Sequence, residues 1–214
     1  MATDSAPEPM RVIAPTVTTD RGNALARCLL RVVGWRVIYH GTPPGCGVII
    51  AYPHTSNWDF VVGIVAKWAV GIPVAILSKD SLFRLPVLGR FMRACGCIPV
   101  NRSSPNGVIA DMAERIVQAS SSGERWWLAI TPEGTRKRSE DGWRSGFYHI
   151  AVAAQVPIGL AYLNFQRKEI GVITFLQPSG NPDADMPQIA RWYAEHAVGR
   201  HPELATPIRL KRSR

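Results

Sequence analysis

The chain has 214 residues, enough for one domain of ordinary size with a buried core. Hydrophobic residues make up 46% and mean hydropathy is -0.01, values that exclude both a disordered chain and a polytopic membrane protein. Twenty-five Lys and Arg against 16 Asp and Glu leave a net charge of +9, so the expected partner is anionic: nucleic acid, anionic lipid or a phosphorylated small substrate.

Residues 1–20 are rich in Pro, Thr and acidic side chains without apolar periodicity and read as a flexible leader. Residues 22–39 read as an amphipathic helix, with Leu25, Leu29, Val32 and Val33 on one face and Arg27 and Arg31 opposite. Such a helix either lies in a lipid headgroup layer or packs on its own domain with a solvated basic face. After the turn GTPPG, short apolar runs alternate with helical periodicity. Strands are expected at 46–52, 73–77, 97–101, 125–131, 157–165 and 170–176, and helices at 57–70, 81–94, 105–120, 145–155 and 187–198. Ser104 and Pro105 supply a cap and a first-turn proline for the helix at 105–120. This alternation predicts an α/β fold with a mostly parallel central sheet and helices on both faces, its last two strands forming an antiparallel hairpin around QRKE. The single domain runs over 21–200, and 201–214 reads as a solvated basic tail. The apolar stretch 61–77 contains Lys67 and Pro73 and falls short of the roughly 20 residues of a membrane span. Arg27 and Arg31 interrupt the only early apolar run, so no secretory signal is expected. Cys28, Cys46, Cys95 and Cys97 contain no metal-binding spacing and read as reduced, packed thiols.

In a parallel sheet, ligands bind at the carboxyl ends of the strands. The first long strand ends in VIIAYPHTSNWDF and delivers His54 and Asp59 there; CIPVN ends at Arg102; WWLAIT runs into Pro132, Glu133, Gly134, Thr135 and Arg136. His54 is positioned to accept a proton, with Asp59 bonding its other ring nitrogen and fixing the tautomer. The competing reading is a capping box, in which Ser56 is the N-cap and Asp59 merely closes the helix start. Ser56 lacks a G-x-S-x-G elbow, so the expected nucleophile is a hydroxyl of the substrate. Arg102 and Arg136, expected at the ends of neighbouring strands, suit a phosphate, with Lys79 adding a point charge. Glu133 is expected to pair with an arginine, and Gly134 to allow close backbone approach to a ligand. Lys137 and Arg138 read as surface ion pairs, and His40, His149, His196 and His201 as structural or solvated.

PHTSNWD resembles the HxxxxD motif of the glycerolipid acyltransferases, the lysophosphatidate acyltransferase family. KDSLFRLPVLG is similar to the lysine-containing segment before that family's second motif, GCIPVNR resembles the second motif, TPEGTR the EGTR motif, and VPIGLA the fourth. The order is the family's, over roughly residues 48–163, with Pro53, Pro99 and Lys137 as departures from its usual residues. The resemblance implies direct transfer of a fatty acyl chain from acyl-CoA or acyl carrier protein (acyl-ACP) to the hydroxyl of a lysophospholipid, foremost 1-acylglycerol-3-phosphate. It assigns His54 as general base, Asp59 as its partner, and Arg102, Glu133, Gly134, Thr135 and Arg136 to the acceptor site, with Lys79 on the phosphate. It requires no metal and no cofactor beyond the acyl donor. It implies peripheral docking on an anionic membrane surface at the cytoplasmic face. Three rivals stand beside it: acyl transfer to another lysolipid or an amine-bearing acceptor, which the departures leave open; a thioesterase or hydrolase using the same His and Asp; and a basic module without catalysis. No nucleic-acid motif is present, and Trp126 and Trp127 sit in an apolar strand.

Overall fold

A computed structural model of the chain describes residues 10–17, 22–100 and 105–211. Its centre is β3 (Gly47–Tyr52), an apolar strand covered on both faces: Val48 and Ile50 are wholly buried on one side and Ile49 is buried on the other. Gly47 has no Cβ because the ring of Trp127 occupies that place; a Cβ there would come within 2.2 Å of it.

Eight strands form one sheet. Along it run β1 (Arg11–Ile13), β8 (Glu169–Gln177), β7 (Ile158–Asn164), β3, β6 (Trp127–Ile130), β4 (Val74–Lys79) and β5 (Cys97–Val100), in that order. The five strands from β7 to β5 are parallel, and β7 and β8 form the expected antiparallel hairpin. The outer edge of β8 is shared: β1 pairs antiparallel with its second half, while β2 (Arg36–Ile38) pairs parallel with its first.

The helices divide between the two faces. On one lie α1 (Ala24–Val32), α2 (Asn57–Val70) and α3 (Pro86–Ala94), packed through Leu30, Val62 and Ala66 and through Ile64, Met92 and Cys95. On the other lie α4 (Pro105–Ser121), α5 (Gly146–Ala153) and α6 (Pro182–Ala194), whose Ile116, Phe147, Ile150 and Ile189 bury the largest core cluster together with β3 and β7. Trp127 is fully buried and Trp126 nearly so, as their apolar strand implied. Cys46, Cys95 and Cys97 are buried free thiols, while Cys28 is exposed.

Five local expectations are corrected. The helix predicted over 22–39 ends at Val32, because Gly34 turns the chain at φ +80° and frees 36–38 to pair with β8. Part of the expected leader, 11–13, is strand β1, since the outer edge of β8 offers unpaired backbone groups. The helix expected over 81–94 splits into a 3₁₀ turn (Asp80–Phe83) and α3, which starts at Pro86. α6 begins five residues earlier than expected, because Asn181 caps it and Pro182 takes the first helical position, leaving Pro187 inside. The C-terminal stretch is not a free tail: Ile208 and Leu210 pack on the main core, and Trp143 bridges Arg209 and Lys211 through backbone bonds of 2.7 and 2.8 Å.

Candidate active site

The sheet order sets the site. β3, β6 and β4 are adjacent, so His54 after β3, the loop 131–136 after β6 and Lys79 closing β4 emerge side by side at one edge. β6 and β5 are not neighbours, contrary to the expected adjacency of the arginines that follow them; β4 lies between, and Lys79 stands in that gap. Arg102 lies outside the described residues.

His54 Nδ1 is 3.2 Å from Asp59 Oδ2. The same oxygen accepts the backbone N–H groups of Thr55 and Ser56, each at 2.7 Å, while Ser56 Oγ accepts from Trp58 N. The capping box and the His–Asp pair are therefore one arrangement rather than alternatives. Asp59 is 6% exposed, and its Oδ1 has no hydrogen-bond partner among the described residues. With Nδ1 facing the carboxylate, Nε2 is the nitrogen left for proton transfer. Ser56 serves the helix start, and Thr55 Oγ1 accepts the backbone N–H of His201 at 3.3 Å, so both hydroxyls have structural roles.

Glu133 is 3% exposed and pairs with no arginine among the described residues, which do not include Arg102. One of its oxygens accepts the backbone N–H of His54, the other that of Thr206 at 2.9 Å. Burial pushes its carboxyl up to about 7, and the amide bonds from Thr206 and His54 offset part of that. It is a buried brace tying the β6 loop, the backbone of His54 and the C-terminal segment together. Gly134 follows at φ +65°, and a Cβ there would sit 2.7 Å from Arg144 Nε.

His54, Asp59, Lys79, Gly134, Thr135 and Arg136 all line one cavity of about 1110 Å³. From this polar mouth it continues between α2 and the sheet along apolar walls, including Ala51, Ile76, Ala129 and Leu163, toward Val70 and Ile72. At that far end Lys67 donates to the Cys95 carbonyl at 2.7 Å, its ammonium pKa lowered by burial. Lys137 also lines the cavity, whereas Arg138 makes the expected surface pair, with Glu140.

Sequence reasoning missed two contributors. His201 and Leu204 line the same cavity, brought there by a segment that closes over the site through His201 N, Thr206 N and the bond from Arg138 Nη1 to the Ala205 carbonyl. No spacing in the sequence links residue 201 to residue 55; the contact exists only in three dimensions. Among the described residues no group of three His, Cys, Asp or Glu is placed to hold a metal ion.

Human lysophosphatidylcholine acyltransferase 2 is 29% identical over 114 residues, 52% of this chain and 20% of that one. The 1-acyl-sn-glycerol-3-phosphate acyltransferase of Escherichia coli K12 is 30% identical over 110 residues, 49% of this chain and 42% of that one. The chain thus spans well under half the length of these curated relatives. The crystal structure of the 1-acyl-sn-glycerophosphate acyltransferase PlsC from Thermotoga maritima aligns over 73% of this chain and 67% of that one, with a TM-score of 0.49 and 15% identity. The sequence model of the family described as Acyltransferase matches residues 36–159. Because that match runs through more than half of the chain and takes in His54, Asp59, Lys79 and 133–136, the chain belongs to the acyltransferase family.

Proposed function

We propose that the chain moves a fatty acyl group from acyl-CoA or acyl-ACP to the hydroxyl of a lysophospholipid, with 1-acylglycerol-3-phosphate the foremost acceptor. The observation that carries this reading is the placement of a His–Asp pair, two cationic side chains and a long apolar cavity on one continuous surface. A cavity of about 1110 Å³ is at the top of the range for ligand sites and suits an extended hydrocarbon chain.

In this reading His54 Nε2 takes the acceptor hydroxyl proton as the oxygen bonds to the thioester carbonyl carbon. The tetrahedral species then expels the thiolate by breaking the C–S bond, and the imidazolium returns the proton to sulfur. Asp59 stabilises the cation between those steps and holds the ring. Lys79 and Arg136 receive the acceptor phosphate, and holding both substrates in one cavity supplies much of the rate. The acceptor is a lipid, so the enzyme works docked peripherally on an anionic membrane surface, at its cytoplasmic face. Among the described residues no helix is long and apolar enough to cross a membrane.

The test incubates purified protein with a labelled acyl thioester and a panel of lysolipids, comparing wild type with His54→Ala. Acyl transfer that disappears in the variant supports the reading. Release of the acyl group to water without an acceptor would replace it with a thioesterase, and transfer surviving His54→Ala would remove the mechanism.

A further inference from the structure

The exposed apolar side chains are not scattered. Of the fourteen large hydrophobics exposed among the described residues, ten lie on α1, α2 and the stretch 82–91, and an eleventh, Val33, is the C-cap of α1. On α1, Leu25 and Val32 are 77% and 78% exposed, with Leu29 on the same stripe. α2 adds Trp58, Val61 and Trp68, the 3₁₀ turn adds Leu82, and α3 with its N-cap adds Leu85, Val87 and Phe91. These elements form the single helical layer that covers one face of the sheet, so the patch belongs to one side of the molecule.

The charge on this layer has one sign. Its elements, α1, α2 and the stretch 80–94, carry Arg27, Arg31, Arg84, Arg90 and Arg93, besides Lys67 turned onto the Cys95 carbonyl, against Asp59 and Asp80. Asp59 is buried at the site and Asp80 is paired with Arg84. Aliphatic and aromatic side chains set among cations, with almost no acid, are the chemistry that engages an anionic lipid surface. A second copy of this chain would set that positive surface against itself.

The patch is also continuous with the cavity. Val61, Leu82 and Phe91 are 45%, 37% and 49% exposed, and all three line the cavity wall as well. We propose that the α1–α2–α3 layer docks on an anionic bilayer, and that the cavity opens into it between α2 and α3, at Val61, Leu82 and Phe91. Acyl chains then pass from lipid to His54 without crossing water. What passes rests on the function proposed above; the docking face does not.

The double variant Leu85→Glu/Val87→Glu tests this, since both residues are exposed and neither lines the cavity. Cosedimentation with phosphatidylcholine vesicles containing phosphatidylglycerol is expected to fall about tenfold or more. Transfer between a short-chain thioester and a water-soluble short-chain lysolipid is expected to be unchanged, and Val152→Glu, on α5 of the opposite layer, is expected to bind vesicles as wild type does. Undiminished cosedimentation of the double variant overturns the docking face, as does an equal loss in Val152→Glu. A wild-type dimer that the double variant converts to monomer overturns it too, by showing the patch to be a contact between copies. If vesicle binding falls as expected but no protein transfers acyl groups even in solution, the docking face stands and the proposed reaction falls.

Discussion

Asp59 holds His54 with the same oxygen that closes its own helix: Oδ2 lies 3.2 Å from the imidazole Nδ1 and 2.7 Å from two backbone nitrogens. Folding of the α2 start and orientation of the imidazole are thereby one event. A histidine placed ahead of a helix, with an aspartate at the third helical position, gains its orientation from a cap that the helix needs anyway.

The two roles separate under substitution. Asp59→Asn keeps an oxygen for the amides but loses the charge that stabilises an imidazolium, so kcat is expected to fall about 10²–10⁴-fold with little change in melting temperature. Asp59→Ala removes the acceptor and leaves two amides of the helix entry without it, adding a stability loss of about 1–3 kcal/mol. Steady-state kinetics and urea unfolding of the pair check this; equal stability losses in both variants would show that the charge, not the acceptor, closes the cap.

Glu133 gives a pH signature. Its carboxyl rises from an ordinary 4.5 to about 7 on folding, so the folded state binds that proton more tightly than the unfolded chain does. Its contribution to stability is therefore greatest below 4.5 and declines as pH rises through about 7, a difference of about 3 kcal/mol. In Glu133→Gln that slope is expected to vanish, while kcat drops because an amide group cannot accept from both His54 N and Thr206 N. Urea midpoints at several pH values, wild type against variant, measure the first effect, and an unchanged slope would assign the titration to another group.

Much of this arrangement was legible because local chemistry and global fold agree. The run VIIAY predicts a buried strand and forms β3; Ser56 and Asp59 predict a helix start and form it. Parallel topology then brings strand ends to one edge whatever their separation in sequence, which is why His54, Lys79 and Arg136 were readable as one site. What could not be read depended on edges and on distant segments. Strands β1 and β2 are three residues each and exist because the flank of β8 needs partners, a demand no local pattern carries. The amide that Glu133 accepts through Oε1 belongs to Thr206, 73 residues away, which no motif around Glu133 announces. His201 entered the cavity by the same route, on a segment whose basic composition suggested a solvated tail.

Gly63 separates helix stability from cavity shape. It lies within α2, lines the cavity, and a Cβ added there meets nothing within 4 Å. Gly63→Ala is expected to stabilise the protein by about 0.5–1 kcal/mol, since glycine inside a helix carries excess backbone entropy. Gly63→Phe fills the same space with a ring, so the longest acyl chains accepted should be lost while short ones are transferred as before. A panel of thioesters of graded length reads this out, and an unshifted preference would place the acyl chain elsewhere.

On the proposed function, the cationic side chains at the mouth are expected to distinguish acceptor headgroups. Lys79 and Arg136 are both exposed, and Arg136 forms no ion pair with any described residue, so each is available to a ligand. A guanidinium binds two oxygens of a phosphate monoester at once, whereas an ammonium acts as a point charge. Arg136→Ala is expected to raise KM for 1-acylglycerol-3-phosphate about tenfold or more with a small change in kcat, and Arg136→Lys to recover only part of that loss. For a zwitterionic acceptor such as lysophosphatidylcholine the phosphate carries a choline and less net charge, so the same substitution should cost less. If both acceptors lose equally, Arg136 contacts the acyl donor instead, because the donor is the substrate common to the two assays.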